Sequence, residues 1–188
     1  MDEIQEVERA SIAAPSPVAG AVFIPLWGAA IAGARGAPQD RVVVAWATID
    51  ADMEQAFSCF RWHMTDTGYA ARWSGSRGAR YRVRMHRLVL GLDREDPRQV
   101  DHVDRDKLHN RRQNLRAVER DSQNKQNVPG RPGSSRHRGV SWDSERGKWL
   151  AQAKAKGVGR FVKRFDSEEQ AAAAVTAWRR ENMPFSSD

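Results

Sequence analysis

One cysteine, Cys59, occurs among the 188 residues. No internal disulfide or cysteine-cluster zinc site can form, which fits a reducing, cytoplasmic setting. A long apolar run is missing as well. Ser11 to Ala34 carries no charge, but Asp2, Glu3, Glu6 and Glu8 precede it where a signal peptide needs cations, and Pro15, Pro17 and Pro25 interrupt it. These features exclude a signal peptide or a membrane span. A disordered start over residues 1–19, leading into a strand near Val22–Leu26, is the expectation.

Acidic residues are sparse in the second half. Residues 1–80 hold 7 Lys+Arg against 9 Asp+Glu, residues 81–127 hold 12 against 8, and residues 131–164 hold 10 against 2. A basic excess of this kind suits a polyanionic partner, because each neutralised phosphate releases condensed counterions. The length allows one ordinary domain or two or three very small ones.

Between residues 20 and 80, AVFIPLWGA, DRVVVAWATID and GYAARW are short apolar or alternating runs parted by Gly, Asp and Ser turn signals. They predict a strand-rich module with a helix at Asp52–His63 and a tryptophan cluster of Trp27, Trp46, Trp62 and Trp73. In YRVRMHRLVLGL, which follows, basic residues alternate with Tyr81 and Val83 over Arg80–Arg84, as on a strand with one wet face whose arginines can meet phosphates.

The eight residues Val128–Ser135 hold two prolines and two glycines and form a linker. Beyond it, RHRGVSWD, KWLAQAKAK and GRFVKRFD are strand-length runs, followed by a helix capped at Ser167 with Gln170 three residues on. Ala171, Ala174, Val175 and Trp178 form its apolar stripe. A three-stranded antiparallel sheet plus one helix results, with Lys148, Leu150, Gln152 and Lys154 on the face opposite Trp149, Ala151 and Ala153. Basic strands of this kind fit the DNA major groove.

Residues 136–183 resemble the Apetala-two, or ethylene-response-factor, DNA-binding domain through RGVSW at Arg138–Trp142, KWLAQ at Lys148–Gln152 and FDSEEQAAAA at Phe165–Ala174. The resemblance implies DNA contacts from Arg138, Trp149, Lys154 and Arg160, and Arg136 and Trp142 beside them are further candidates. Lys163 stands where that family usually has glycine, so its base preference does not carry over.

The stretch from Gln99 to Asn127 is crowded with charge and amides. Hydrolysis of a phosphodiester needs a base to take a proton from water and a cation to neutralise charge on phosphate. His102 offers the base, with an ordinary pKa of about 6.5. Asp101 offers an oxygen ligand for a hard metal ion. Both serve one site only at a strand end or bulge, which the DRD after Val103 provides. Asn114 can donate and accept, and so tie the polar loop together and hold His102. Asp121 reads as the N-cap of a short helix carrying Asn124 and Asn127.

Four motifs in this order, MHRLVLG at Met85–Gly91, DH at Asp101–His102, NLR at Asn114–Arg116 and QNKQN at Gln123–Asn127, resemble the homing-type HNH endonucleases. IPL at Ile24–Leu26 and GYAAR at Gly68–Arg72 resemble the leader of that group. The resemblance implies an α+β fold with a ββα-metal core over residues 81–127. It also implies His102 as general base, Asn114 as loop-ordering residue, and Asp101 and Asn124 as ligands of one divalent ion, Mg²⁺ or Mn²⁺. Asn124 lies ten residues after Asn114 where the group has nine, so Gln123 and Asn127 stay open as the third motif residue. Arg111, Arg112 and Arg116 are expected on phosphates. His86 reads as a packed structural residue, and His109 as solvated or touching phosphate.

The expected protein is thus a metal-dependent endonuclease of double-stranded DNA, targeted by its C-terminal module, with no membrane association, no small-molecule cofactor and a monomeric state. A DNA-binding regulator without catalysis and an RNA-binding protein are the competing readings.

Overall fold

A computed structural model describes residues 11–29, 41–119, 126–128 and 133–186. The fold is mixed α+β, built from small antiparallel sheets and few helices, and it divides at Ala117/Val118 into two compact units. No helix among the described residues is long and apolar enough to cross a membrane.

In the first unit, β1 (Ala21–Ala29) pairs antiparallel with β2 (Arg41–Asp50), with a register shift between Leu26 and Trp27. Period-two alternation buries Ile24 and Leu26 from one strand and Val43, Ala47 and Ile49 from the other. Pro25 is tolerated because a two-stranded sheet has only edges. Residues 11–19 lack regular structure, yet the start of this segment is tied to β2: Ile12 N donates to Val43 O at 2.9 Å, and Val43 N donates to Ser11 Oγ at 3.2 Å. The expectation of disorder through residue 19 is therefore corrected at Ser11–Ile12.

The predicted helix at Asp52–His63 is shorter than expected. A 3₁₀ turn at Ala51–Met53 leads into α1 (Glu54–Ser58), which stops before Trp62. Trp62 explains the interruption. It is fully buried, stacks on Phe57 at 5.6 Å between centroids and donates Nε1–H to Phe57 O at 2.8 Å, and this holds the chain in a turn. The predicted tryptophan cluster does not form: among the described residues no ring contact joins two of Trp27, Trp46, Trp62 and Trp73, and Trp73 is 51% exposed. The core consists instead of Trp62 with Ile24, Leu26, Ile49, Phe57, Met85, Val89, Leu92, Val100 and Leu115.

A second sheet has the order β3 (His63–Met64), β4 (Ala70–Ser74), β5 (Tyr81–Arg84). The run after Arg84 turns helical as α2 (Met85–Val89), burying Met85, His86 and Val89 on a helical rather than an alternating pattern. Arg87 then gathers the loop that follows, donating to Asp93 O, Arg98 O and Asp96 O at 2.6, 2.7 and 2.9 Å. That loop delivers β6 (Gln99–His102), which pairs with β7 (Leu115–Val118).

In the second unit, β8 (Val140–Asp143), β9 (Lys148–Ala155) and β10 (Gly159–Phe165) form a sheet with β9 in the centre, and α3 (Glu168–Asn182) packs on one face. Ser167 caps α3 by accepting the Gln170 N–H at 3.2 Å. The buried stripe is Ala171, Ala172, Val175 and Arg179, shifted by one residue from the predicted one. Trp178 is half-buried and stacks on Phe161. The shift arises because Arg179 donates Nη1–H to Arg138 O at 2.8 Å across a tight approach. Gly139 makes that approach possible: its φ is +78°, and a Cβ there would lie 2.4 Å from Gln152 O. Gly139→Ala should therefore destabilise the C-terminal unit by about 2 kcal/mol or more, since both the φ and the backbone contact oppose it. Urea unfolding followed by tryptophan fluorescence measures the change; an unaltered midpoint would show that the contact relaxes freely.

Candidate active site

The predicted catalytic residues meet where β6 ends. Asp101 and His102 are both buried, each 5% exposed, although strand alternation points them in opposite directions. A turn closed by Arg105 N donating to His102 O at 3.0 Å follows at once, with Arg105 at a φ of +69°. A non-glycine residue in that region is strained, and such strain persists only where neighbouring bonds hold it.

Asn114 supplies those bonds. Its Oδ1 accepts from Asp104 N at 3.0 Å, and its Nδ2 donates to Asp104 Oδ1 and His109 O, both at 2.8 Å. Its carbonyl accepts from Val103 N at 2.9 Å. One buried amide thus closes the loop from Val103 to His109. The same loop is fixed to β2, with Thr48 N donating to Leu108 O at 2.8 Å and Asn110 N donating to Thr48 O at 2.7 Å.

Asn110, which the sequence reading did not single out, sets the state of His102. Its Nδ2 donates to Leu108 O at 2.9 Å, so its Oδ1 faces His102 Nε2 at 3.3 Å. Nε2 must then carry the hydrogen, which makes Nδ1 the basic nitrogen of the neutral ring. Burial lowers the pKa of His102 against the raising influence of Asn110, Asp104, Asp101 and Asp106. The ring is therefore neutral near pH 7, the form a proton acceptor needs. The only signal for Asn110 in the sequence is an amide in a polar loop eight residues after the histidine.

His86 packs edge-on against His102 at 5.3 Å and against Tyr69 at 5.0 Å, and Tyr69 approaches His102 at 5.9 Å. Burial, with the nearby His102, Arg84 and Arg87, pushes the pKa of His86 down to about 3. Asp104 also takes the Nδ1 of His109 at 2.5 Å. Burial pulls the Asp104 carboxyl up, but the bonds from His109, Asn114 and Asp106 outweigh it and leave its pKa below the usual range.

The arginines expected on phosphates are engaged with carboxylates instead. Arg116 donates from Nε and Nη2 to Asp101 Oδ2 at 2.7 and 2.6 Å. Arg111 Nε bonds Asp50 Oδ1 at 3.0 Å, and Arg112 Nη1 bonds Asp52 Oδ1 at 2.9 Å. Asp50 on β2 and Asp101 on β6 have little exposed surface and need cations, which Arg111 and Arg116 supply, whereas the Arg112–Asp52 contact is exposed to solvent.

A hard divalent cation takes several oxygen donors. Asp101 gives one carboxylate, with Arg116 already on Oδ2, and no group of three or more His, Cys, Asp or Glu residues among the described ones could hold a metal ion. Asn124, Gln123 and the helix start at Asp121 lie outside the described residues. Asn127 is buried in a bend of the second unit rather than in a helix. The described residues by themselves do not complete a metal site.

In the C-terminal sheet, register separates the predicted DNA contacts. Lys154 and Arg160 are partners on the face away from α3, alongside Lys148 and Arg164. Lys148 pairs with Asp166, Arg164 Nε bonds Asp143 at 2.8 Å, and Arg160 Nη2 bonds Gln152 at 3.1 Å. Trp149 is half-buried on the α3 face, with Trp142 edge-on to it at 5.2 Å, so neither lies on the basic face. Arg138 is held by Ser186 Oγ at 3.0 Å, and Arg136 is exposed. Trp149 packs against the core of this unit, whereas Trp142 stays 44% exposed. No family model, curated protein or solved structure matches the chain.

His86 yields a pH dependence with a definite sign. Its folded pKa of about 3 lies below the unfolded value of about 6.5, so below pH 6.5 the unfolded chain binds the proton and the folded one does not. Stability is complete above pH 6.5 and falls as pH drops toward 3, by about 2 kcal/mol at pH 5 from this residue. Urea midpoints across this range, compared with His86→Phe, measure it. The variant should show a shallower decline, and equal slopes would rule His86 out as the source.

Proposed function

We propose that this chain is a DNA endonuclease of HNH type that hydrolyses phosphodiester bonds, with its C-terminal sheet as the DNA-reading module. The observation that carries the reading is the setting of His102: buried at a strand end, its pKa lowered by burial, with Nε2 at 3.3 Å from Asn110 Oδ1. Water loses a proton to Nδ1 as its oxygen bonds to phosphorus, and the bond to the 3′ oxygen breaks. A 5′-phosphate and a 3′-hydroxyl result, the leaving oxygen taking its proton from solvent.

Each neighbour has a definite part. Asn110 prevents the ring from presenting a hydrogen at Nδ1. Asn114 acts through the loop, as a positioning residue that keeps the turn after His102 closed. A divalent ion, with Asp101 as one ligand and Asn124 as the second, would neutralise charge on the phosphate. Lys154 and Arg160 reach DNA from the outward face of β9 and β10.

The bond from Arg116 to Asp101 favours one second reading, a DNA-binding regulator that does not cut, because that contact competes with a metal for the carboxylate. One experiment separates the two. Genomic DNA is incubated with the protein, with and without Mg²⁺, and every new strand end is mapped by sequencing. Recurrent Mg²⁺-dependent ends that His102→Ala abolishes, with DNA binding nearly unchanged, are expected from the nuclease. Binding with no new ends belongs to the regulator, and parallel loss of binding in His102→Ala removes the assigned role.

A further inference from the structure

One face of the β3–β4–β5 sheet carries cations to which the proposed mechanism gives no part. Register sets Trp73 opposite Arg82 and Ala71 opposite both Arg84 and His63, so His63, Trp73, Arg82 and Arg84 project to the same side. Each cation there lies on a ring. Arg82 sits 5.3 Å from the Trp73 centroid and Arg84 5.7 Å from that of Tyr69, and Lys107 Nζ lies 5.0 Å from the same Tyr69 ring. Tyr69 in turn touches His102 at 5.9 Å. The strip therefore runs from Trp73 to the candidate base.

Carboxylates do little to neutralise it. Arg82 approaches Asp66 at 3.9 Å, but that carboxylate is 85% exposed and the contact is solvent-screened. Arg84 makes no ion pair among the described residues, and Lys107 donates to a neutral acceptor, Thr67 O, at 2.9 Å. A guanidinium laid against a ring keeps its in-plane N–H groups available, pre-ordered for the oxygens of a phosphate.

We infer that this face holds the sugar-phosphate backbone of the DNA strand carrying the scissile bond, with Arg82, Arg84 and Lys107 each taking one phosphate. The inference rests on the nuclease reading and names its substrate track. Residues two apart on a strand are about 6.8 Å apart, and a DNA strand places one phosphate per about 3.4 Å of axis. Because the strand winds around that axis, neighbouring phosphates are roughly 7 Å apart in space, so Arg82 and Arg84 match consecutive phosphates of a strand running along β5. Arg111, Arg112 and Arg116, held by acids, leave this role to the sheet face.

The test uses the full chain with His102→Ala, so that DNA stays intact, and a 30-base-pair duplex titrated at several salt concentrations. Adding Arg82→Gln, Arg84→Gln or Lys107→Gln should lower the slope of log K against log salt by about 0.9 each, one phosphate contact apiece. Arg94→Gln, whose guanidinium lies over Tyr81 on the other face, should leave the slope unchanged. Arg84→Lys should keep the slope, which separates lost charge from lost folding. Unchanged slopes in the three variants overturn the inference. An equal loss in Arg94→Gln also overturns it, as does weakening confined to single-stranded RNA or polyglutamate. Cutting is scored separately in the parent: a chain that cuts with unchanged slopes loses only the track, and one that never cuts yet shows the slope changes loses only the nuclease reading.

Discussion

Buried asparagine amides are the constraint on which the candidate site depends. The loop from His102 to Asn114 has little apolar material to collapse around, and a buried amide without partners would cost about 1–3 kcal/mol. Asn114 and Asn110 remove that penalty by joining their own loop: one closes Asp104 against His109, the other links Leu108 to His102. Because these bonds are directional, satisfying them also fixes geometry. Loop stability and the tautomer of His102 are therefore two results of the same hydrogen bonds. The positive φ of Arg105 is tolerated in that setting, since residues on both sides of it are pinned.

Asp101 shows the opposite situation, one group asked to serve two purposes. A carboxylate 5% exposed needs a partner in any functional state, and Arg116 on the neighbouring strand provides one at 2.6 Å. Removing either partner of such a pair leaves an uncompensated charge. A divalent ion approaching Asp101 would therefore have to share the carboxylate with Arg116 or displace it, and the nuclease and regulator readings part at this bond.

Much of this was legible in the sequence because it follows from period and chemistry. The alternation of β9 identified Trp149, Ala151 and Ala153 as one face, and Ser167 with Gln170 identified the start of α3. A strand end directly after His102 was legible from the DRD turn. Pairings between distant segments were not. Nothing local in Arg111 or Arg112 announces Asp50 and Asp52 as partners some sixty residues earlier, because an arginine looks alike in sequence whether it will meet an acid or a phosphate. The tryptophans misled for a related reason. Trp62 takes the core alone while Trp73 stays on a wet face, and alternation fixes faces only once strand ends are known. Asn110 was missed because a single amide in a polar loop has no period.

Two sets of arginines differ in what holds them. Arg87, Arg111, Arg116 and Arg179 bond backbone carbonyls or carboxylates and hold loops or strands in place. Arg82 and Arg84 lie on rings and face solvent. A small chain with thin cores gains from the first group, since a guanidinium satisfies several acceptors at once where apolar side chains are few. An arginine used in this way keeps its charge, but its N–H groups are committed, so fewer of them are left for the oxygens of a polyanion. Two sheet faces, one in each unit, present exposed cations in register: Arg82 and Arg84 on the first, Lys154 and Arg160 on the second. A strand presents cations at a fixed spacing that a flexible loop does not, so these two faces suit a regular polyanion better than the charge-rich loop does.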